Sequence, residues 1–278
     1  MNSTRQISDT ARAGNPEADA TWSELHRLAT EPYRRSGLFT WHFARGKLRH
    51  DPVFRALLEQ GEMSGRSRVV DIGCGQGLMA GLLQACTDLQ RSGNWPAAWP
   101  SPPAATAYTG IELMPRDIAR AEGAVGNLAL APRFVCANMC EAALPACDLV
   151  VILDVLHYVD HAAQVEVLQR VRTALLPHGR LLLRVGDQDQ HRGFAISQWV
   201  DRIVTSVRGH RVPPTWGRGV AAWSALLQEL GFAVRALPMS SGTPFANVLL
   251  VADLQIGHDV PGPDVNANPA ACATQEIA

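Results

Sequence analysis

Residues 69–78 read Val69-Val70-Asp71-Ile72-Gly73-Cys74-Gly75-Gln76-Gly77-Leu78. A β-branched run closes on an acid, and three glycines alternate with other residues. An apolar pattern at helical spacing follows at once in Leu78, Met79, Leu82, Leu83 and Cys86. This order predicts a buried parallel strand, a tight turn and a helix. Glycine in the turn permits φ > 0 and lets a ligand come close to the backbone. The first N–H groups of the helix then face that ligand. Glycine spacing narrows its identity. The dinucleotide fingerprint G-x-G-x-x-G, counted from Gly73, puts its third glycine at position 78, which is Leu78; the third glycine here is Gly77. A phosphate-binding loop needs G-K-[ST], a triplet the chain lacks.

Downstream, strands and helices alternate. After the first strand (68–72) and its helix (78–88), a Pro-, Ala- and Ser-rich stretch at 91–106 carries Trp95 and Trp99 and fits no regular element. A helix-to-strand connection lies at the N-terminal edge of a parallel sheet, so this reads as a surface insertion away from the ligand crevice. The second strand, 107–112, ends in Glu112. A carboxylate there can accept hydrogen bonds from both vicinal hydroxyls of a ribose. The third strand, 133–137, runs into Asn138 and Met139. The fourth, 147–153, is nearly all apolar, as a central parallel strand should be, and ends in Asp154-Val155-Leu156-His157-Tyr158. A helix over 162–176 stops at Pro177-His178-Gly179, before a fifth strand at 180–185. Polar residues at 186–193, a helix at 194–207 and a loop at 209–218 come next. A last helix, 220–230, is capped by Gly231. Strands six (232–237) and seven (246–252) form a hairpin.

Upstream, residues 1–19 are small and polar and read as an unstructured start. Residues 20–64 read as a helical cap rich in aromatics, with Asp51-Pro52 as an N-cap followed by proline at the first helical position. Residues 65–253 form the main domain, and 254–278, rich in Gly, Pro, Asn and Ala, read as an unstructured tail.

Apolar residues make up 47% of the 278, enough for one substantial core. Net charge is −1 with no long basic run, which argues against a nucleic-acid groove. Lys47 is the only lysine, so Schiff-base chemistry would have to use it. The six cysteines show no C-x-x-C pair and no zinc-ligand spacing, so no metal site is expected. That usage, with no signal peptide and no apolar run of about 18 residues, points to a cytoplasmic protein with no membrane partner.

The string Asp71-x-Gly73-x-Gly75-x-Gly77 resembles motif I of the class I S-adenosylmethionine (SAM)-dependent methyltransferases. The string after strand four is similar to motif IV of the small-molecule members, and 33–58 resembles the methyltransferases of bacterial aryl-polyene and polyketide pigments. The resemblance covers roughly 68–252. It implies an α/β, Rossmann-like seven-stranded sheet in the order 3-2-1-4-5-7-6, with strand seven antiparallel and helices on both faces. The implied cofactor is SAM, and the implied partner is a small-molecule acceptor. The implied cofactor-binding residues are Asp71, Gly73, Cys74, Gly75, Gly77, Glu112, Leu113, Asn138, Met139 and Asp154. Asn138 stands where the family commonly has an Asp that accepts from the adenine amino group; its amide oxygen can still accept, without charge. The reaction needs acceptor, methyl and sulfur in line, with water excluded. For an O- or C-methylation of a phenolic or polyketide-like acceptor, a general base helps, and position makes His157 the candidate.

Two other classes remain. An NAD-dependent oxidoreductase conflicts with the third-glycine spacing. A catalytically inactive SAM-fold binding or scaffold protein conflicts with the intact Asp71, Gly73, Gly75 and Glu112, though Asn138 fits it. A nucleic-acid methyltransferase would carry Asn-Pro-Pro-Tyr or Asp-Pro-Pro-Tyr after strand four, and neither occurs.

Overall fold

The computed structural model describes residues 16–186, 216–239 and 247–255. They build one seven-stranded sheet: β1 (Arg68–Ile72), β2 (Ala107–Glu112), β3 (Arg133–Cys136), β4 (Cys147–Leu153), β5 (Leu175–Gly186), β6 (Phe232–Pro238) and β7 (Asn247–Leu254). The order is β3-β2-β1-β4-β5-β7-β6, as the resemblance implied. β1 is central and parallel to both neighbours, with Asp71 level with Gly110 on β2 and Val151 on β4. β7 runs antiparallel between β5 and β6.

Alternation along the strands makes two cores. Val69, Leu149, Val151 and Leu182 face α1 (Pro16–Thr30), α2 (Leu38–His50), α3 (Pro52–Glu59) and α4 (Leu78–Arg91). Val70, Ile72, Val150, Ile152, Leu181 and Leu183 face α6 (His161–Ala174) and α7 (Val220–Glu229). The remaining helix, α5 (Pro115–Val125), follows β2. Both faces of the central strands are covered, which is why their sequences are almost continuously apolar.

The cap is part of the first core. α1 lies on α4 so closely that a Cβ at Gly81 would stand 2.8 Å from the Ala29 carbonyl oxygen. A 3-10 turn (Glu31–Ser36) buries Tyr33 completely, and its hydroxyl donates to the Gln76 carbonyl at 2.9 Å. Asp51 caps α3 by accepting from the Val53 N–H at 3.1 Å, with Pro52 in the first turn.

Two boundaries and one packing arrangement stand out against the sequence reading. α1 starts at Pro16, inside the stretch read as unstructured. α6 ends at Ala174 rather than 176, and β5 begins at once with Leu175. Leu175 pairs with Cys147 and Arg180 with Leu149, so Pro177-His178-Gly179 forms a bulge within β5, not a helix stop. Proline drives the residue before it toward extended backbone, and a bulge is where a strand tolerates proline. The third difference is the insertion. It crosses the N-terminal end of β1, where the Gly65 N–H donates to Pro102 at 3.2 Å and the Ala104 N–H to Arg66 at 3.0 Å. Its tryptophans turn inward: Trp95 and Trp99 meet edge to face at 5.6 Å and pack on the cap-side core. The sequence-predicted helix at 194–207, most of the loop at 209–218 and the turn between β6 and β7 lie outside the described residues.

Candidate functional site

A cleft opens at the C-terminal ends of β1 and β4, under the cap. It holds about 120 Å³ of space for water-sized molecules and opens to solvent. One wall is the glycine turn with Asp71, Cys74 and Gln76; another is Leu78 and Met79 of α4. Phe43, Lys47 and Phe54 come from the cap, and Leu153, Asp154 and Arg184 from the ends of β4 and β5.

The turn has the predicted left-handed backbone, with φ of 77° at Gly73, 53° at Gly75 and 76° at Gly77. Its glycines differ in purpose. A Cβ at Gly73 would meet Val155 at 2.5 Å, and one at Gly77 would meet Phe134 at 2.9 Å. A Cβ at Gly75 would meet nothing within 4 Å. Two glycines therefore serve packing, and the middle one leaves room beside the cleft.

Glu112 braces the turn. Its Oε2 accepts from the Gly75 N–H and its Oε1 from the Met114 N–H, both at 3.0 Å. Asp71 lies beneath, buried, accepting from the Tyr108 hydroxyl at 2.7 Å. Burial pushes its carboxyl up to about 7; the Tyr108 bond opposes the shift and the Glu112 charge adds to it. The same burial raises the Cys74 thiol and the Tyr33 and Tyr108 phenols. Gln76 donates to Asp117 Oδ1 at 3.2 Å, while its buried Oε1 has no hydrogen-bond partner among the described residues.

Asp154 follows β4 with φ of 60°, a left-handed conformation that Asp tolerates better than most side chains. Arg184, 2% exposed, holds it through Nε to Oδ1 at 2.9 Å and through a second bond to Oδ2. The other edge of the guanidinium grips Asp51, with Nη2 to Oδ2 at 2.7 Å. Lys47 pairs with the same Asp51 at 2.7 Å. Burial opposes the Asp51 charge, but Arg184 and Lys47 prevail and hold its carboxyl far below the usual range.

Of the sequence-predicted residues, Asp71, Gly73, Cys74, Gly75 and Asp154 line the cleft together. Glu112 touches Gly75, and Gly77 packs behind the turn. Leu113 is exposed and is not among the residues that line the cleft. Asn138 turns its Oδ1 back to the Cys140 N–H at 3.0 Å, and the Met139 carbonyl accepts from Arg170 at 2.9 Å. His157 sits in a 3-10 turn (Leu156–Tyr158) against the Tyr158 ring at 4.2 Å and is not among the side chains lining this cleft. Burial pushes its imidazole below the ordinary value, partly offset by Asp154. Sequence reasoning missed Arg184 and Lys47 as cleft residues, and treated Asp51 only as a cap. The signal for Arg184 was a guanidinium inside the apolar run 181–185, which requires a carboxylate partner.

No curated protein matches the chain. Among solved structures it is similar to magnesium protoporphyrin IX methyltransferase from Synechocystis PCC 6803, with bound S-adenosylhomocysteine, at 17% identity and a TM-score of 0.51, covering 85% of this chain and 100% of that one. It is similar to N-methyltransferase NodS from Bradyrhizobium japonicum, also with S-adenosylhomocysteine, at 16% identity and a TM-score of 0.51, covering 84% and 98%. It also resembles mitomycin 7-O-methyltransferase at 23% identity and a TM-score of 0.51, covering 87% of this chain and 74% of that one. These likenesses concern the fold. A family model described as a methyltransferase domain matches residues 34–237. With its glycine turn, its strand order and that match, the chain belongs to the methyltransferase-domain family.

Proposed function

We propose that the protein binds SAM in this cleft and transfers its methyl group to a small-molecule acceptor. The observation that carries the reading is the Glu112 carboxylate joined to the Gly75 N–H beside the open side of Gly75. The residues fit the group. Gly75 leaves the turn accessible, and Glu112 supplies the acid expected for ribose hydroxyls. When bound, SAM supplies an electrophilic sulfonium methyl. The protein's part is alignment and exclusion of water.

Phe43 and Phe54 give the cleft an aromatic wall, which supports a phenolic or polyketide-like acceptor. His157 is the candidate base, since burial favours its neutral form, which can take a proton from a hydroxyl. Asn138 and Met139 would meet the adenine edge, and Leu113 the ribose side. The test is methyl transfer from labelled SAM to a panel of phenols and aromatic polyketides. Transfer to at least one supports the reading. SAM binding with no transfer to any acceptor favours the inactive, scaffold alternative.

A further inference from the structure

Arg184 is the one charged residue in the buried stretch 181–185 of β5, and it uses both edges of its guanidinium. One edge holds Asp154 at the end of β4; the other holds Asp51 at the junction of α2 and α3. Asp154 alone would neutralise it. The second carboxylate brings the trio to one net negative charge, and Lys47, on the cap, returns the group to neutrality. Four charges on three parts of the fold thus close on one point at the cleft wall. With the cap undocked, the second edge of the Arg184 guanidinium would lose its acceptors, and leaving buried charged donors unpaired is costly.

The same point touches the glycine turn. The Asp154 N–H donates to the Arg184 carbonyl at 3.2 Å. Asp154 is left-handed, and the next side chain, Val155, lies where a Cβ on Gly73 would collide at 2.5 Å. The backbone turn at Asp154 therefore sets how Val155 seats against the loop proposed to hold the cofactor. We propose that Asp51 is a positioning residue for this cleft: through Arg184 it holds the left-handed turn at Asp154, so the cap and the cofactor wall form as one unit. The inference rests on the reading of the cleft as a cofactor site.

Asp51→Asn tests it. Asparagine keeps an acceptor for the Val53 N–H, so the cap of α3 survives, but it removes the charge facing Arg184. Amide hydrogen exchange without cofactor should rise about tenfold more at residues 154–158 than at residues 150–152 of β4, a local release on the scale of one coupled contact. An even rise across both overturns the proposal, since it reports only lost global stability. SAM affinity should fall about tenfold in Asp51→Asn, and adding it to Asp154→Asn should cost little more than Asp154→Asn alone. Additive losses overturn the proposal. Should Asp51→Asn fail to fold, Asp51→Glu keeps the charge and displaces it; exchange at 154–158 must still rise ahead of β4, and an unchanged loop overturns the idea. If the wild type does not bind SAM, the proposed function fails, and the exchange comparison still decides this inference.

Discussion

Replacing Gly75 by alanine separates a glycine kept for a ligand from one kept for the fold. At φ of 53° an alanine occupies the left-handed region, at a cost of about 1–2 kcal/mol. Loss of glycine freedom in the unfolded chain returns about 0.4–1 kcal/mol. The new methyl meets no atom within 4 Å, so no packing cost is added. The net loss is about 1 kcal/mol, or roughly 2–4 °C in Tm for a chain of this size. Gly73→Ala is the contrast. It carries the same backbone cost and drives a methyl to within 2.5 Å of Val155, adding about 1–3 kcal/mol of overpacking. Its Tm should fall about two to four times as far. For SAM the order reverses in meaning: Gly75→Ala, though well folded, places its methyl in the space left open beside the cleft and should weaken binding at least about tenfold, or ~1.4 kcal/mol. Differential scanning fluorimetry gives the first quantity and isothermal calorimetry the second. A Gly75→Ala protein that binds SAM within twofold of wild type refutes the reasoning.

Glu112→Ala removes acceptors from the Gly75 and Met114 N–H groups as well as the proposed ribose acid. Calorimetry should show SAM affinity down by about 1–3 kcal/mol, with a measurable fall in Tm because the turn loses its brace. Asp71 has a folded pKa of about 7, raised above its ordinary value of 3.8. The folded state therefore holds a proton that the unfolded state releases, and the carboxyl's contribution to stability declines as pH climbs from about 4 through about 7. Asp71→Asn, which can still accept from Tyr108, should change stability little near pH 4 and raise it progressively up to about pH 7, by at most ~4 kcal/mol. Urea denaturation at pH 5 and pH 8 checks this, and an equal gain at both contradicts it. His157→Gln should lower kcat by about a hundredfold or more with an identified phenolic acceptor, with SAM affinity unchanged within threefold. In the wild type, the acid limb of kcat should then titrate below the ordinary histidine value of 6.5, because burial opposes the imidazolium.

The strand–turn–helix at 68–91 was legible because each of its local signals agrees: β-branched residues, alternating glycines and helical spacing. The strand order was not in the periodicity; it came through the resemblance, since pattern gives strands but not their neighbours. The fifth strand's early start was hidden because Leu175-Leu176 continues the apolar spacing of the preceding helix while Pro177 forbids it. The inward turn of Trp95 and Trp99 was hidden because no periodicity marks a face in an irregular segment. At the site, Asp71, Gly73, Gly75 and Glu112 could be read from local spacing. Asp51, Arg184 and Asp154 could not be joined, since Asp51 and Arg184 lie far apart in sequence and meet only when the cap docks. Tyr108 and Tyr33 were missed for a related reason: nothing local marks a phenol that will meet the buried Asp71 or the Gln76 carbonyl.

Calorimetric titration of the wild-type protein with SAM, beside a parallel titration with NADH, decides whether the cleft is a SAM site. Saturable binding of one SAM per chain and no binding of NADH is the expected result. NADH binding, or no heat with SAM from a folded protein, contradicts it.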